Sequence, residues 1–257
     1  NREDERIAKI ADSLSGQKVA WFGLDDSLKK HFPSDDELHS NKINSKKRPT
    51  ADVTLVEFTD DSATFKIDND LHSGKLNLRG AYNMFNAAAA IALTRAIVKD
   101  NLDEINLFTT LSQITPAFGR GETVEVGGQP IELVLVKNPS GFRLGLQSFQ
   151  ASDWKTMIAI NDNYADGRDM SWLWDVDFTS LSKTGVAIVS GIRAYDMALK
   201  LKYDEVGFDL VEEDLSASLR RFIDDNPDSP KRIYCTYTAM LTLRRELSKI
   251  TDVEAIS

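Results

Sequence analysis

The chain has 257 residues, 42% hydrophobic and 28% charged, which is the composition of an ordinary globular protein with one large or two ordinary domains. Its net charge of -9 argues against nonspecific binding to nucleic acid or to an anionic membrane. The single cysteine, Cys235, excludes an internal disulfide and a cysteine-based zinc site, and it is consistent with a reducing, cytoplasmic compartment.

Short strands are predicted first along the chain. Gln17–Leu24 is a mostly apolar run that ends near a glycine, and it predicts a strand. Across residues 51–67 apolar and polar residues alternate, with Asp60 and Asp61 between the two halves, which predicts a hairpin. Leu76–Leu78 predicts a further short strand.

A helix and a domain boundary follow these strands. Strong helix formers predict a helix over Ala81–Val98, and its alanines at 87–90 allow close packing against a sheet. The Thr115–Pro116 step interrupts the pattern, so we predict one domain over residues 1–115 and a second over 116–257.

The second half alternates short apolar runs with helical patterns, which predicts an α/β domain with a doubly wound, mostly parallel sheet. The predicted strands are Ile131–Val136, Met157–Ile160, Val186–Val189 and Ile233–Thr236. The predicted helices are Phe142–Ala151, Ile192–Tyr203, Leu215–Asp225 and Tyr237–Ile250.

Polar residues follow each predicted strand, and such sheets bind ligands at the carboxyl ends of their strands. These residues are Lys137–Asn138–Pro139, Asn161–Asp162, Ser190–Gly191 and Thr236–Tyr237. One of these stretches opens an acidic segment, residues 161–175, that reads NDNYADGRDMSWLWD. Because it starts at the end of a strand, we expect its acids to line a cleft.

Several motifs resemble one family of enzymes. GAYNMFNAAAAIA (80–92) and FGRGE (118–122) resemble motifs of the Mur ligases and folylpolyglutamate synthases. More specific are LVKNPSGF (135–142), NDNYADGRDMSWLWD (161–175), SGIRAYDMALKLKY (190–203) and TYTAMLTLR (236–244), which together resemble the MurT family. The resemblance covers essentially the whole chain. It implies the end of a Mur ligase central domain followed by a Rossmann-like C-terminal domain.

The resemblance implies an ATP-dependent activity shared with a partner. MurT is the ligase-like subunit of lipid II isoglutaminyl synthase, and its partner GatD is a glutaminase. The pair amidates the α-carboxylate of D-glutamate in the stem peptide of lipid II, at the inner face of the membrane. ATP activates the carboxylate as an acyl phosphate, ammonia from glutamine attacks it, and Mg²⁺ with positive groups neutralises the phosphates.

The sequence departs from the family pattern in three places. It lacks a GxxxxGK[ST] phosphate loop, and Asn1–Asp4 resembles a motif late in the central domain, so we expect the sequence to begin inside that domain. Residues 25–50, with the basic run Lys42–Arg48, are interpreted as a solvated loop. Within them, residues 33–50 stand where the family has a four-cysteine zinc ribbon, so zinc is not expected. Val134–Pro139 lacks the Asp-Tyr-Ala-His-Asn-Pro of Mur ligases that add amino acids.

Nucleotide contacts are implied at five positions. Asn86, helped by Asn83, would contact the adenine, although two asparagines near a helix start are also typical of capping. Arg120 would reach the ribose or a phosphate, or act as a hinge residue in a solvated turn. Lys137, with Asn138, would contact a phosphate or the ribose, but the lysine side chain also fits simple packing of its stem along the surface.

The acidic segment has a different implied role. A glutaminase needs a cysteine, a histidine and an orienting acid, and the resemblance implies that the partner supplies the first two and this chain the acid. Asp169 is the first candidate and Asp166 the second, because Asp166–Gly167 is also a turn signal. The alternative is that all the acids are turn and cap residues.

The aromatic residues and the histidines receive structural interpretations. Trp172 and Trp174 are interpreted as core or interface anchors, and Tyr195, Tyr203 and Tyr237 as packing residues. The three histidines lack ligand spacing, so no metal site is predicted. Two other functions stay open: an ordinary Mur-type or folate-type ligase that adds an amino acid, and a non-catalytic module that docks onto a partner.

Overall fold

The computed structural model of the chain describes residues 1–14, 16–32, 48–59, 61–78, 80–99, 102–115, 120–148 and 153–253. The chain divides into two compact units, Asn1–Thr115 (unit 1) and Pro116–Ser257 (unit 2). The division falls at the step where the helix pattern of the first half stops.

Unit 1 is a small sheet covered by helices. Its strands are β1 (Phe22–Leu24), β2 (Val53–Phe58), β3 (Ser62–Ile67) and β4 (Asp70–Lys75), and its helices are α1 (Glu5–Asp12), α2 (Ala81–Val98) and α3 (Glu104–Gln113). β1 runs parallel to β2, while β2, β3 and β4 form an antiparallel meander. Alternate residues of the hairpin, such as Val53, Leu55 and Phe65, point into the core, where the alanine face of α2 packs among them.

The predictions for unit 1 are confirmed for the hairpin and for the helix Ala81–Val98. The strand predicted at Gln17–Leu24 is shorter, Phe22–Leu24. The strand predicted at Leu76–Leu78 is wrong, because the third strand of the meander is β4, which ends at Lys75. Most side chains of β4 are exposed, so its sequence carries no apolar alternation. In the loop predicted at residues 25–50, Asp26–His31 form a 3₁₀ helix, and residues 33–47 lie outside the described residues.

Unit 2 is built on one mostly parallel sheet in the order β5-β6-β10-β7-β8-β9. Its strands are β5 (Arg120–Val126), β6 (Gln129–Leu135), β7 (Lys155–Ala159), β8 (Val186–Ser190), β9 (Phe208–Glu212) and β10 (Lys231–Cys235). Its helices are α4 (Pro139–Ser148), α5 (Ala194–Tyr203), α6 (Leu215–Asp224) and α7 (Tyr237–Leu247). β6, β10, β7, β8 and β9 are parallel, and β5 pairs with β6 as an antiparallel hairpin.

The α/β class and the mostly parallel sheet predicted for unit 2 are confirmed. Two strands were not predicted. β9 is a half-buried edge strand with little alternation, and β5 reaches β6 through Gly127 and Gly128, which both have positive φ. A Gly-Gly pair between two short runs is a hairpin signal that the sequence interpretation missed.

The central strand β10 is buried along its whole length, although it begins with two cationic residues. Arg232 lies opposite Glu132 of β6, and their side chains form an ion pair of 2.7 Å. The Arg232 guanidinium also lies 4.5 Å from the ring centroid of Trp154. Because Arg232 and Glu132 are paired in this way, their opposite charges can be buried in the middle of the sheet.

Cys235 ends β10 inside the core and provides a test of the packing of unit 2. Burial raises the pKa of its thiol far above the ordinary value. We expect thiol reagents at neutral pH to leave native protein unlabelled and to label one site per chain in denaturant. Mass spectrometry of labelled protein measures this, with Cys235→Ser as the blank; rapid labelling of folded protein would contradict the buried position.

Candidate functional site at the carboxyl edge of the second sheet

The carboxyl ends of β6, β10, β7 and β8 lie at one edge of the unit 2 sheet because these strands are parallel. Polar residues lie within two positions of the ends of β6, β7 and β10, where the sequence places Lys137, Asn161 and Thr236. The residues after β7 and β10 are hydrogen-bonded to each other. The acidic segment therefore starts at this edge.

Asn161, the second residue after β7, links the ends of three strands. Its backbone N–H donates to the Thr236 hydroxyl at 2.8 Å, and its side-chain Nδ2 donates to the Thr238 hydroxyl at 3.0 Å. Its Oδ1 accepts from the backbone N–H of Ile192, after β8, at 3.0 Å. The side chain is buried and satisfied as donor and acceptor, so its role is to hold the edge together.

Gly191 allows β8 to approach this asparagine. Its φ is +90°, a conformation that suits glycine. A Cβ at this position would lie 2.8 Å from the Asn161 Oδ1. Any larger residue would therefore push apart the two strand ends that Asn161 connects.

Asp166 attaches the acidic segment to the start of α7. Its Oδ1 accepts from the Thr238 backbone N–H at 2.7 Å, and its Oδ2 accepts from the Thr238 hydroxyl at 2.6 Å. The same Oδ2 accepts from the Asn163 backbone N–H at 3.0 Å, and Asn163 Nδ2 donates to the Thr238 hydroxyl at 2.8 Å. A carboxylate at a helix N-terminus is also stabilised by the helix dipole. Both oxygens of Asp166 are thus engaged within the chain.

Asp169 is in a different environment. It is exposed, and its Oδ1 accepts from the Ser171 backbone N–H at 2.9 Å. Hydrogen bonds from Ser171, through its side chain and its backbone, lower the pKa of Asp169 below the ordinary value. Asp169 is therefore an ionised carboxylate at neutral pH that faces solvent.

The residues after Asp169 fix the end of the segment. Met170 and Leu173 are buried, and the Trp172 ring packs edge-on against Phe142 with centroids 6.4 Å apart. The buried guanidinium of Arg143 donates to the Asp175 carbonyl at 2.7 Å. Asp169 thus lies on a short exposed stretch with an anchor on either side, Asp166 before it and this cluster after it.

Lys137 and Asn138 lie at the end of β6, and both are exposed. The Lys137 Nζ lies 5.5 Å from the ring centroid of Tyr237, at the start of α7. Asn138 Oδ1 accepts from the Gly141 backbone N–H at 2.7 Å, so this side chain shapes the start of α4. Of the two, Lys137 has the charge that a nucleotide phosphate needs.

The other predicted nucleotide residues lie apart in the chain. Asn83 and Asn86 are on the first turns of α2 in unit 1, where Asn83 is buried and Asn86 is exposed. Residues three apart differ by about 60° around a helix, which is enough to place one in the core and one in solvent. Arg120 begins β5 and pairs through its backbone with Val134, while its side chain lies outside what the structure describes.

Metal and membrane features are absent from the described part of the chain. No group of three or more His, Cys, Asp or Glu side chains there is placed to hold a metal ion. Within the same residues, no helix has the length and apolar character needed to cross a bilayer.

Comparison with known proteins agrees with the resemblance of the motifs. Residues 135–240 match the family model described as MurT ligase C-terminal, and this range holds the strand ends and the acidic segment. Over this range the chain is similar to the MurT ligases. The resemblance to MurT predicted from the four specific motifs is thereby confirmed.

One curated relative and two solved structures define the extent of the likeness. The lipid II isoglutaminyl synthase (glutamine-hydrolyzing) subunit MurT of Streptococcus pneumoniae is 30% identical over 210 residues, which is 79% of this chain and 46% of the relative. The chain therefore spans about half the length of that MurT. A pseudomurein peptide ligase type C from Methanothermus fervidus has a TM-score of 0.68 at 14% identity, over 94% of this chain and 55% of the ligase. MurF from Acinetobacter baumannii has a TM-score of 0.60 at 16% identity, over 78% of this chain and 45% of MurF. At these identities the structures show a shared Mur ligase fold.

The structure brings together residues that the sequence interpretation did not select. Asn161 and Thr238 form the centre of the edge, yet neither was a candidate. The only sequence signal was their place, directly after buried strands. The hydrogen bond between them joins residues that are 77 positions apart in the chain, and the spacing of apolar residues along the sequence gives no sign of such a contact.

The two candidate acids are expected to differ in their effect on folding. Asp166→Ala removes the acceptor of three hydrogen bonds and should lower the free energy of unfolding by roughly 1–3 kcal/mol. Asp169→Ala should cost clearly less, because its carboxylate is exposed and bonds locally. Urea unfolding followed by circular dichroism measures both variants. Thr238→Ser is the control that keeps the hydroxyl, and Thr238→Val should resemble Asp166→Ala. Equal decreases in the free energy of unfolding for Asp166→Ala and Asp169→Ala would contradict the different structural roles of the two acids.

Proposed function

We propose that the chain is part of the ligase-like subunit of a glutamine-dependent amidotransferase. In this proposal the natural polypeptide, with ATP and Mg²⁺, amidates the D-glutamate α-carboxylate of lipid II to D-isoglutamine at the inner face of the membrane. The ammonia comes from a GatD-type glutaminase partner, and unit 2 gives the partner an acid that completes the glutaminase site.

The shared glutaminase site is supported most by the set of catalytic residue types in unit 2. A cysteine glutaminase needs a thiolate, a histidine and an orienting acid. The three histidines of the sequence, His31, His39 and His72, all precede unit 2. Its one cysteine, Cys235, is buried and has a raised pKa. Unit 2 thus cannot provide the nucleophile or the base, but it presents the ionised, exposed Asp169.

Asp169 is favoured over Asp166 by the hydrogen bonds of the two residues. Asp166 would have to leave the Thr238 N–H and hydroxyl before it could orient a histidine of another chain. Asp169 has one oxygen bonded to Ser171 and is exposed. An orienting acid has to accept a hydrogen bond from the imidazole, and Asp169 can do so without breaking the fold of the segment.

The nucleotide contacts fit the proposal in charge and position within unit 2. Bound ATP supplies the leaving group that makes the carboxylate reactive. Lys137, exposed at the carboxyl end of β6 above Tyr237, would hold a phosphate. Asn86 and Asn83 of unit 1 would bind the adenine, with Arg120 at the ribose or a phosphate. Asn138 would contribute indirectly, because its side chain accepts a hydrogen bond from Gly141 and so fixes the start of α4 next to Lys137.

The two other functions are separated from this proposal by their substrates. An amino-acid ligase would turn over a free amino acid in place of glutamine or ammonia. The sequence Val134–Pro139 lacks the motif that the resemblance implies for such ligases. A docking module would bind the glutaminase but no nucleotide. Isothermal titration with each ligand, together with product analysis, distinguishes the three.

A glutamine hydrolysis assay tests the shared acid. The natural polypeptide carrying this sequence is purified with a GatD-type glutaminase and supplied with glutamine, ATP and lipid II. We expect Asp169→Ala to reduce glutamine hydrolysis by roughly 10⁴-fold, the loss seen when the orienting acid of a triad is removed. With added ammonia in place of glutamine, amidation should continue.

The matched control is Asp209→Ala, which removes an exposed aspartate on the edge strand β9 of the same unit. It should leave both reactions unchanged. Unchanged glutamine hydrolysis in the Asp169→Ala complex would exclude this residue as the shared acid. Loss of the ammonia reaction as well would point to damage to the ligase site.

Lys137 tests the nucleotide side of the proposal. Lys137→Met keeps the length of the side chain but removes its charge, so the KM for ATP should rise roughly 10-fold or more, the scale of one charge-assisted hydrogen bond. Lys137→Arg keeps a cation and should retain most of the affinity. Steady-state kinetics at varied ATP with saturating ammonia measures this; an unchanged KM for Lys137→Met would contradict a phosphate contact.

A further inference from the structure

The hydroxyl of Thr238 joins the acidic segment to the first turn of α7. It donates to the Asp166 Oδ2 at 2.6 Å, and it accepts from the side-chain Nδ2 atoms of Asn161 and Asn163 at 3.0 Å and 2.8 Å. The backbone N–H of Thr238 also donates to the Asp166 Oδ1, at 2.7 Å. Three of these four hydrogen bonds therefore depend on one hydroxyl group.

Thr238 is itself held by the core of unit 2. It is the second residue of α7, and Ala239, Met240 and Leu243 of this helix lie in the hydrophobic core. A β-branched side chain has few rotamers in a helix, and the hydrogen bonds to the segment select one of them. The hydroxyl is thus a fixed point of the core, and the largely exposed stretch 163–169 is attached to it.

Asp169 is close enough along the chain to depend on this attachment. Two residues separate it from Asp166, and three residues of extended chain span at most about 11 Å. Gly167 has a φ of +86°, so the chain turns directly after Asp166. After Asp169, the buried Met170 holds the other end of the stretch. The direction of the Asp169 carboxylate therefore depends on two attachments, and Thr238 provides the first of them.

We propose that Thr238 is a positioning residue for the acid that completes the partner's glutaminase site. The inference rests on the proposed function and assigns a role in glutamine turnover to a residue that reaches neither glutamine nor the histidine. An orienting acid has to lie within about 2.6–3.2 Å of the imidazole nitrogen that it accepts from. A misplacement of about 1 Å in such a site can cost on the order of 100-fold in rate. Thr238 prevents that misplacement by holding Asp166, and through it the chain that leads to Asp169.

The test replaces Thr238 by valine, which is similar in shape but lacks the hydroxyl. The variant loses three side-chain hydrogen bonds and keeps the backbone bond to Asp166. In the natural polypeptide purified with a GatD-type glutaminase, we expect kcat for glutamine hydrolysis to fall roughly 10- to 100-fold. The KM for glutamine, which binds in the partner's site, should stay within about 2-fold of wild type. Thr238→Ser keeps the hydroxyl and should recover most of the lost kcat.

The matched control is Thr242→Val, which makes the same substitution one turn later on α7. The Thr242 side chain is half-buried like that of Thr238, but its hydroxyl donates to the Thr238 carbonyl at 3.1 Å and not to the acidic segment. It should leave glutamine hydrolysis unchanged. Amidation driven by added ammonia should continue in both valine variants, because it bypasses the glutaminase site, and circular dichroism verifies that both are folded.

Each contrary outcome has a separate meaning. Wild-type kcat in Thr238→Val, with Asp169→Ala inactive, would overturn the positioning role and leave the shared acid standing. If Thr238→Ser were as slow as Thr238→Val, the hydroxyl would not be the determinant, and the inference would be wrong. Loss of the ammonia reaction in Thr238→Val would assign Thr238 to the stability of the whole unit and overturn its specific role. Wild-type glutamine hydrolysis in Asp169→Ala would overturn the shared acid at this residue and the inference with it.

Discussion

The hydrogen bonds that meet at Thr238 determine the geometry of the carboxyl edge. Its hydroxyl donates to Asp166 and accepts from Asn161 and Asn163, so its one donor and two acceptor positions are all used. Parallel strands leave polar loops at a crowded edge, where an unsatisfied buried group is costly. A single hydroxyl at the start of α7 satisfies groups from the segment after β7 and thereby fixes the path of that segment.

The path of the segment gives chemically identical acids different roles. Asp162 pairs with Arg193, and Asp166 is bonded to Thr238 through both oxygens. The carbonyl of Asp175 is held by Arg143. Asp169 is the remaining aspartate, exposed and bonded to its neighbour Ser171. Clustering in sequence therefore does not give the acids one environment, because Asp162 and Asp166 hold the loop, whereas the side chains of Asp169 and Asp175 are exposed.

Features that depend on local pattern could be predicted from the sequence, and features that depend on distant contacts could not. Apolar runs and helix formers located β6, β7, β8, β10 and α2 within a few residues. β4 was missed because its side chains are mostly exposed. Asn161 was passed over because its partners lie after other strands. The interpretation of Tyr195 and Tyr203 as packing residues is wrong, because their side chains are 66% and 72% exposed, and only the tertiary structure determines which face of a helix meets the sheet.

The proposed division of labour places two demands on unit 2. The acid has to be exposed, so that a histidine of another chain can reach it, and it has to be held in place, so that the hydrogen bond forms with the right geometry. A flexible acidic loop would meet the first demand only. Here the exposed stretch around Asp169 is short, and Asp166 on one side and the buried Leu173 on the other hold it. The same segment also contacts α5, because the Trp174 ring meets that of Tyr203 edge-on, and this contact adds a further anchor on the C-terminal side of Asp169.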